Sequence, residues 1–151
     1  MPAVAVVMPV LNEENYLEAA VLAILSQDYE GPIQVVLALG PSKDQTNKIA
    51  QELEKDPRVK LVDNPSGRTA SALNSAIKKS NFEIIVRLDG HALVDPNYIK
   101  NAVSTLLATD ADTEYRVERD GEAIIFPNAK VAIGQRAMLM VKPVSVAGKV
   151  S

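Results

Sequence analysis

The sequence contains no cysteine, no tryptophan and only one histidine among its 151 residues. The absence of cysteine excludes disulfides and thiolate metal sites. An excess of basic residues is also missing, because 16 Lys and Arg stand against 19 Asp and Glu, for a net charge of −3. Proteins that bind nucleic acid neutralise its phosphates with a positive field, which this chain lacks as a whole. We therefore expect no nucleic-acid partner.

Long hydrophobic runs are missing as well. No stretch approaches the ~20 apolar residues that a membrane-spanning helix needs. The first apolar run, residues 4–10, has no basic residues before it and soon reaches Asn12 and Glu13, unlike a secretory signal. We expect a cytoplasmic protein, with peripheral association at the inner face of the membrane as the alternative.

Short apolar runs rich in β-branched residues alternate with stretches of helical periodicity, four times in succession. Runs of this kind are typical of strands that are buried on both faces of a parallel sheet. Caps, Gly-Pro pairs and a proline placed at the start of the last helix separate the elements. The predicted strands are 4–10, 33–39, 59–62 and 84–88, and the predicted helices are 12–26, 44–55, 69–79 and 96–107.

Four β-α repeats predict an α/β fold with a mostly parallel sheet and helices on both faces. In such sheets, ligands bind beyond the carboxyl ends of the strands, where the connecting loops gather. We therefore expect a binding site built from four loops: residues 9–14, 39–44, 63–68 and 89–91.

The pattern changes near residue 110. Residues 115–119 alternate, Asp120-Gly121 is a hairpin turn signal, and the apolar residues 123–126 follow. This predicts a C-terminal hairpin region. The final residues, 143–151, are mostly small and show no clear periodicity.

Each predicted strand end carries a distinctive polar motif. They are Pro9-Val10-Leu11-Asn12-Glu13, Gly40-Pro41-Ser42-Lys43-Asp44-Gln45-Thr46, Asp63-Asn64-Pro65 followed by Ala72-Leu73-Asn74, and Arg87-Leu88-Asp89-Gly90-His91-Ala92. Four motifs in a fixed order are far more specific than any one alone. Together they resemble the N-terminal half of inverting family 2 glycosyltransferases with the Rossmann-like GT-A fold, nearest to the succinoglycan-type exopolysaccharide branch.

The resemblance implies a function. Such enzymes transfer a sugar, with inversion, from a nucleotide diphosphate sugar to a saccharide or lipid-linked acceptor in polysaccharide biosynthesis, and UDP-sugar is the default donor. The motifs end near residue 111, so residues 1–111 are predicted to be the nucleotide-sugar-binding half. Residues 112–151 are then a divergent or truncated segment with the hairpin.

The resemblance also implies site residues and a cofactor. Asp89 and His91 stand where the family carries Asp-x-Asp, and are expected to hold Mn²⁺ or Mg²⁺; the imidazole slightly favours Mn²⁺. Arg68 is a candidate for a diphosphate oxygen. The expected donor-binding residues are Pro9, Asn12, Glu13, Gly40, Ser42, Asp44, Arg68, Asn74 and Asp89.

Simpler roles compete with these. Asn12 and Asp44 could be helix caps, Arg68 a solvated charge, and His91 a hydrogen-bonded structural group. The chain also departs from the family, because Leu39-Gly40 replaces an acidic pair and no later Glu-Asp pair supplies a general base. The catalytic residues are therefore unassigned. A non-catalytic or truncated donor-binding domain is the alternative function, and an unrelated doubly wound binding domain is the third hypothesis.

Overall fold

In a computed structural model, the described residues are 1–82, 84–108, 113–119, 122–129, 131–133 and 137–141, with side chains described up to residue 105. The tail from residue 142, the predicted turn Asp120-Gly121, and Asp110 and Asp112 lie outside them. Among the described helices, none has both the length and the apolar character to cross a membrane.

The N-terminal part alternates strands and helices as the sequence predicts. Its elements are β1 (Val4–Val10), α1 (Leu17–Leu25), β2 (Ile33–Leu39), α2 (Thr46–Leu53), β3 (Val59–Asp63), α3 (Thr69–Lys79), β4 (Ile84–Leu88) and α4 (Tyr98–Ala108). Four strands follow: β5 (Thr113–Arg119), β6 (Glu122–Ala129), β7 (Val131–Ile133) and β8 (Ala137–Val141).

A six-stranded sheet in the order β3-β2-β1-β4-β8-β7 organises the fold. The first four of these strands are parallel, with β1 between β2 and β4, and β8 pairs antiparallel to β4. Strands β5 and β6 form a separate antiparallel pair in which Arg119 lies opposite Glu122. The predicted α/β fold with a mostly parallel sheet and a C-terminal hairpin region is therefore confirmed.

Both faces of the central strand β1 are buried. Alternate residues of a strand point to opposite faces. Val6 and Met8 accordingly belong to the core cluster that includes Leu17 of α1, whereas Val7 belongs to the cluster with Leu73 of α3. Helices thus cover both faces, which is the physical reason that β1 reads as a continuous apolar run.

The first helix begins later than the sequence predicts, at Leu17 rather than near Asn12. Asn12 has a positive φ of 54°, and its Oδ1 accepts a hydrogen bond from the backbone N–H of Lys43 at 2.8 Å. The carbonyl of Glu13 instead accepts the N–H of Leu17 at 2.9 Å. The alternative role of Asn12 as a cap of α1 was wrong, because a bond to a distant loop takes its side chain.

The predicted start of the fourth helix was also wrong. Pro96 lies in the turn before α4, which begins at Tyr98. Asp95 Oδ1 accepts the N–H of Asn97 at 3.0 Å, so the aspartate closes a local turn before the helix. Asp44 behaves similarly, since its Oδ1 accepts the N–H of Thr46, the first residue of α2, at 2.9 Å.

Candidate functional site

The four strand-end loops meet at one edge of the sheet, as the topology predicts. The N–H of Gly40 donates to the carbonyl of Val10 at 2.9 Å, which joins the first loop to the second. The N–H of Asn64 donates to the carbonyl of Leu39 at 2.8 Å, which joins the second to the third. These bonds continue the parallel sheet past its last residues and hold the loops side by side.

A cavity of about 300 Å³ opens at this edge. Its wall draws on the first, third and fourth loops and on the start of α3. It combines carboxylates, a guanidinium and an imidazole with backbone and apolar groups, a mixture typical of sites for polar ligands. The lining residues are Pro9, Val10, Leu11, Glu13, Asn64, Gly67, Thr69, Arg87, Asp89, Gly90 and His91.

The second loop holds the first in place. The N–H of Asn12 donates to Ser42 Oγ at 2.9 Å, and Asn12 Oδ1 accepts from Lys43 in return. One residue further, the N–H of Glu13 donates to Thr46 Oγ1 at 2.7 Å. Asn12 and Ser42 therefore bond each other's loops, and neither is among the residues that line the cavity.

Asp44 extends this connection. Its Oδ1 accepts bonds from the hydroxyl and the N–H of Thr46, and its Oδ2 accepts the N–H of Glu14 at 3.3 Å. The hydrogen bond from the Thr46 hydroxyl, followed by the backbone bonds, holds the pKa of the Asp44 carboxyl below its usual value. Asp44 thus ties the end of the first loop to the start of α2.

Gly40 stands where the loops approach most closely. A Cβ at this position would lie 3.3 Å from both the Cα of Gly67 and the carbonyl oxygen of Val10, and 3.0 Å from Leu11 Cδ1. Two of these neighbours are backbone atoms of the adjoining loops, which cannot rotate away. Gly40 therefore contributes by being small rather than by offering a polar group.

We expect Gly40→Ala to lower the free energy of unfolding by about 1–3 kcal/mol, because overpacking forces backbone shifts. Gly90→Ala is the matched control, since a Cβ there would meet the Glu13 side chain, at 3.2 Å from Cγ, which can give way. Chemical denaturation of both variants checks this. Equal loss of stability in the two variants would contradict the assignment of Gly40.

Glu13 and His91 form an ion pair or hydrogen bond across the cavity wall. Glu13 Oε2 lies 3.0 Å from His91 Nδ1. The Glu13 side chain is 19% exposed and that of His91 is 56% exposed. The carboxylate is thus mostly enclosed, whereas the imidazole reaches solvent.

Asp89 lies close to Arg87, which is not among the predicted site residues. Asp89 Oδ1 and Arg87 Nη2 are 3.6 Å apart, and the two side chains are 44% and 14% exposed. The available signal was the lone arginine within the apolar strand β4, two positions before Asp89 and so on the same side of the strand. Asn64 and Thr69 line the cavity and were likewise absent from the predicted site residues.

Arg68 and Asn74 are not among the residues that line the cavity. The carbonyl of Arg68 accepts a bond from Asn64 Nδ2 at 3.0 Å, and its N–H donates to Ser66 Oγ at 3.2 Å. Asn74 lies half-buried on α3, where its Oδ1 is buried and has no hydrogen-bond partner among the described residues. Their predicted contact with a donor stays a prediction.

The described part of the chain has no group of three or more His, Cys, Asp or Glu side chains arranged to hold a metal ion. Asp89 and His91 nevertheless offer a carboxylate and an imidazole on one cavity wall. Mg²⁺ is commonly bound by one or two carboxylates with the remaining positions filled by water and substrate phosphates. Such a donor set fits a cation that is bound together with a phosphorylated ligand.

Comparisons with known proteins show which family the chain matches. Residues 5–137 match the family model described as "Glycosyl transferase family 2", which extends beyond residue 111, where the sequence motifs end. The succinoglycan biosynthesis protein ExoA of Rhizobium meliloti is 33% identical over 111 residues, which are 72% of this chain and 34% of that protein. The chain spans about a third of the length of this curated relative.

A second curated relative is of another kind. Succinylglutamate desuccinylase of Pseudoalteromonas atlantica is 55% identical over 51 residues, which are 34% of this chain and 15% of that enzyme. The shared stretch is too small a part of either protein to assign the chain to that family.

Solved structures agree with the family match. The mannosyltransferase PcManGT from Pyrobaculum calidifontis, solved with GDP-Man and Mn²⁺, is 31% identical with a TM-score of 0.63, covering 78% of this chain and 36% of that one. TarS 1–349 of S. aureus, solved with UDP, is 23% identical with a TM-score of 0.62, covering 73% of this chain and 33% of that one. The second likeness supports the fold alone.

Proposed function

The chain belongs to glycosyl transferase family 2, and on that premise we propose that its cavity binds a nucleoside diphosphate sugar together with a divalent cation. The observation that carries the proposal is the cavity wall at the ends of β1 and β4. There, Asp89 and His91 offer cation ligands beside the guanidinium of Arg87. PcManGT, whose similarity covers 78% of this chain, was solved with GDP-Man and Mn²⁺.

The proposal gives Asp89, His91 and Arg87 a task each. Asp89 and His91 hold Mn²⁺ or Mg²⁺, and the imidazole favours Mn²⁺ over Mg²⁺. Arg87, enclosed in the wall, is placed to donate to a diphosphate oxygen, a geometry that suits guanidinium. Its charge also balances that of Asp89 in the free protein.

The remaining predicted donor-binding residues divide into two sets. Pro9 and Glu13 line the cavity, so a nucleotide would contact them directly. Asn12, Gly40, Ser42 and Asp44 hold the loops that form the wall. Arg68, at the end of the third loop, and Asn74, on α3, stay proposed donor contacts, although neither lines the cavity.

The proposed reaction is inverting sugar transfer. The acceptor oxygen gives its proton to a general base and bonds to the anomeric carbon, while the bond from that carbon to the nucleoside diphosphate breaks. A cation held by Asp89 and His91 would offset the charge on the leaving diphosphate. UDP is the proposed nucleotide, and a saccharide or a lipid-linked saccharide is the proposed acceptor. Polysaccharide biosynthesis is the proposed setting, which the similarity to a succinoglycan biosynthesis protein supports.

Donor binding is tested by titration calorimetry with UDP, UDP-glucose, GDP and GDP-mannose, each with Mn²⁺ or with a chelator. We expect measurable heat with a uridine nucleotide and Mn²⁺, and weaker binding without the cation, because the diphosphate and the protein each supply only part of its ligands. The absence of heat and of any thermal shift with all four ligands at millimolar concentration would rule out the proposal.

Donor binding without transfer is the second candidate. It is favoured by the tasks already proposed for the two carboxylates that line the cavity among the described residues: Glu13 contacts His91, and Asp89 is a cation ligand beside Arg87, so neither is assigned to an acceptor. Both candidates predict nucleotide binding, so the binding assay does not separate them. Turnover with labelled donor does.

A further inference from the structure

We propose that Glu13 is a positioning residue that holds His91 in the Nδ1–H tautomer, so that the lone pair of Nε2 is available to a ligand in the cavity. This inference deepens the proposed function and rests on it for the identity of that ligand, a divalent cation. The geometry on which it stands is the contact between Glu13 and His91.

The contact itself decides the tautomer. An ionised carboxylate accepts hydrogen bonds and cannot donate them, whereas each nitrogen of a neutral imidazole is either donor or acceptor. With Glu13 Oε2 3.0 Å from His91 Nδ1, a hydrogen bond requires the proton on Nδ1. Nε2 then carries the lone pair, and a metal ion binds a neutral imidazole through such a lone pair.

Glu13 is itself held from several sides. Its N–H donates to Thr46 Oγ1 at 2.7 Å, and its carbonyl accepts the N–H of Leu17, the first residue of α1, at 2.9 Å. Its side chain packs against Gly90, where any added Cβ would lie 3.3 Å from Oε2. These bonds fix the backbone of Glu13, and its side chain lies beside the residue that precedes His91.

The enclosure of Glu13 and the exposure of His91 agree with this division of tasks. The Glu13 side chain is 19% exposed, and it positions the His91 side chain, which is 56% exposed and lines the cavity. In metal sites, a carboxylate on the far nitrogen fixes the ring and raises its basicity, and removing that partner commonly costs about 10- to 100-fold in metal affinity. Glu13 acts on the cation through His91, and the tautomer of that ring reports this task separately from the nucleotide contact proposed for Glu13 above.

The single histidine makes the tautomer directly measurable. In a long-range ¹H–¹⁵N spectrum of the uniformly labelled chain, every imidazole signal belongs to His91. At a pH of about 8, above the usual imidazole pKa, we expect the wild-type spectrum to show a protonated Nδ1 and an unprotonated Nε2. A wild-type ring protonated on Nε2 would overturn the inference.

Three variants complete the test. Glu13→Ala should shift the ring towards the Nε2–H form. Glu13→Gln, whose amide can accept from Nδ1–H or donate to an unprotonated Nδ1, should give a mixture of the two forms. Glu18→Ala removes the same charge from an exposed position on α1 and should leave the spectrum unchanged. An unchanged tautomer in Glu13→Ala would overturn the inference.

Mn²⁺ titration in the presence of UDP separates this inference from the proposed function. We expect Glu13→Ala to weaken Mn²⁺ binding by about 10- to 100-fold, and Glu13→Gln to weaken it less. If the wild type binds no Mn²⁺ while its tautomer is as expected, the proposed function fails and the positioning by Glu13 stands. If Mn²⁺ binds and Glu13→Ala does not weaken it, the inferred task of Glu13 is wrong.

Discussion

Replacing Asp89 with asparagine is expected to abolish the dependence of nucleotide binding on Mn²⁺. Asp89 is the carboxylate that follows β4 on the cavity wall, and hard divalent cations prefer carboxylate oxygen. Asparagine keeps the shape of the side chain and removes its charge. The apparent Kd for UDP in millimolar Mn²⁺ should rise by roughly 100-fold, equivalent to ~2.8 kcal/mol, whereas the Kd in chelator should change little.

The neighbouring Arg87 complicates the single variant. Its side chain is 14% exposed, and its contact with Asp89 is lost when the carboxylate is removed. A partly buried charge left without its partner lowers stability. The double variant Asp89→Asn with Arg87→Met removes both charges. Because Arg87 is also a proposed diphosphate contact, both Kd values should rise, and a lost difference between Mn²⁺ and chelator, with unfolding near that of the wild type, is assigned to the missing ligand Asp89.

Asp63→Asn is the matched control for position. Asp63 is the last residue of β3, ends a strand at the same edge of the sheet, and is exposed without lining the cavity. It should leave both Kd values unchanged. The assignment of Asp89 is wrong if Asp89→Asn keeps the wild-type ratio between binding in Mn²⁺ and binding in chelator, or if Asp63→Asn reduces that ratio equally.

The strands and the third helix could be predicted closely because their signals are local. Helix α3 and strand β4 have the bounds that the sequence predicted, since a stretch of apolar periodicity there is flanked by polar or turn-forming residues. The start of α1 could not be predicted, because it depends on Asn12 bonding Lys43, 31 positions away. Local patterns contain no information about such a bond.

The functional site, too, could be predicted only where its features follow from local patterns and topology. Its location at the ends of the parallel strands follows from the topology alone, and the loops do meet there. Which side chains pair within it depends on contacts between distant positions. Glu13 and His91 are 78 positions apart, and the sequence offered each as a separate donor or metal contact. The pairing that gives Glu13 a task of its own needed the structure.

We expect the 151-residue chain to bind the sugar donor but to transfer the sugar slowly. Inverting transfer needs a general base within hydrogen-bond reach of the acceptor hydroxyl, and a positioned base contributes about 10²- to 10⁴-fold. Of the cavity carboxylates, Glu13 contacts His91 and Asp89 contacts Arg87. In the proposed donor site Asp89 holds the cation and Glu13 holds His91, so among the described residues no cavity carboxylate is left for the acceptor.

Incubation of the purified chain with radiolabelled UDP-sugars, Mn²⁺ and saccharide or lipid-linked acceptors measures this directly. Product formation about 10²- to 10⁴-fold below that of a family member with a positioned base is the expected result. Robust, acceptor-dependent product would contradict it. The sequence then offers Asp110, Asp112 and Asp120, which lie outside the described residues, as bases. Changing each of them to asparagine would show which one is the general base, because only the variant that lacks the base would lose turnover while keeping the wild-type Kd for UDP.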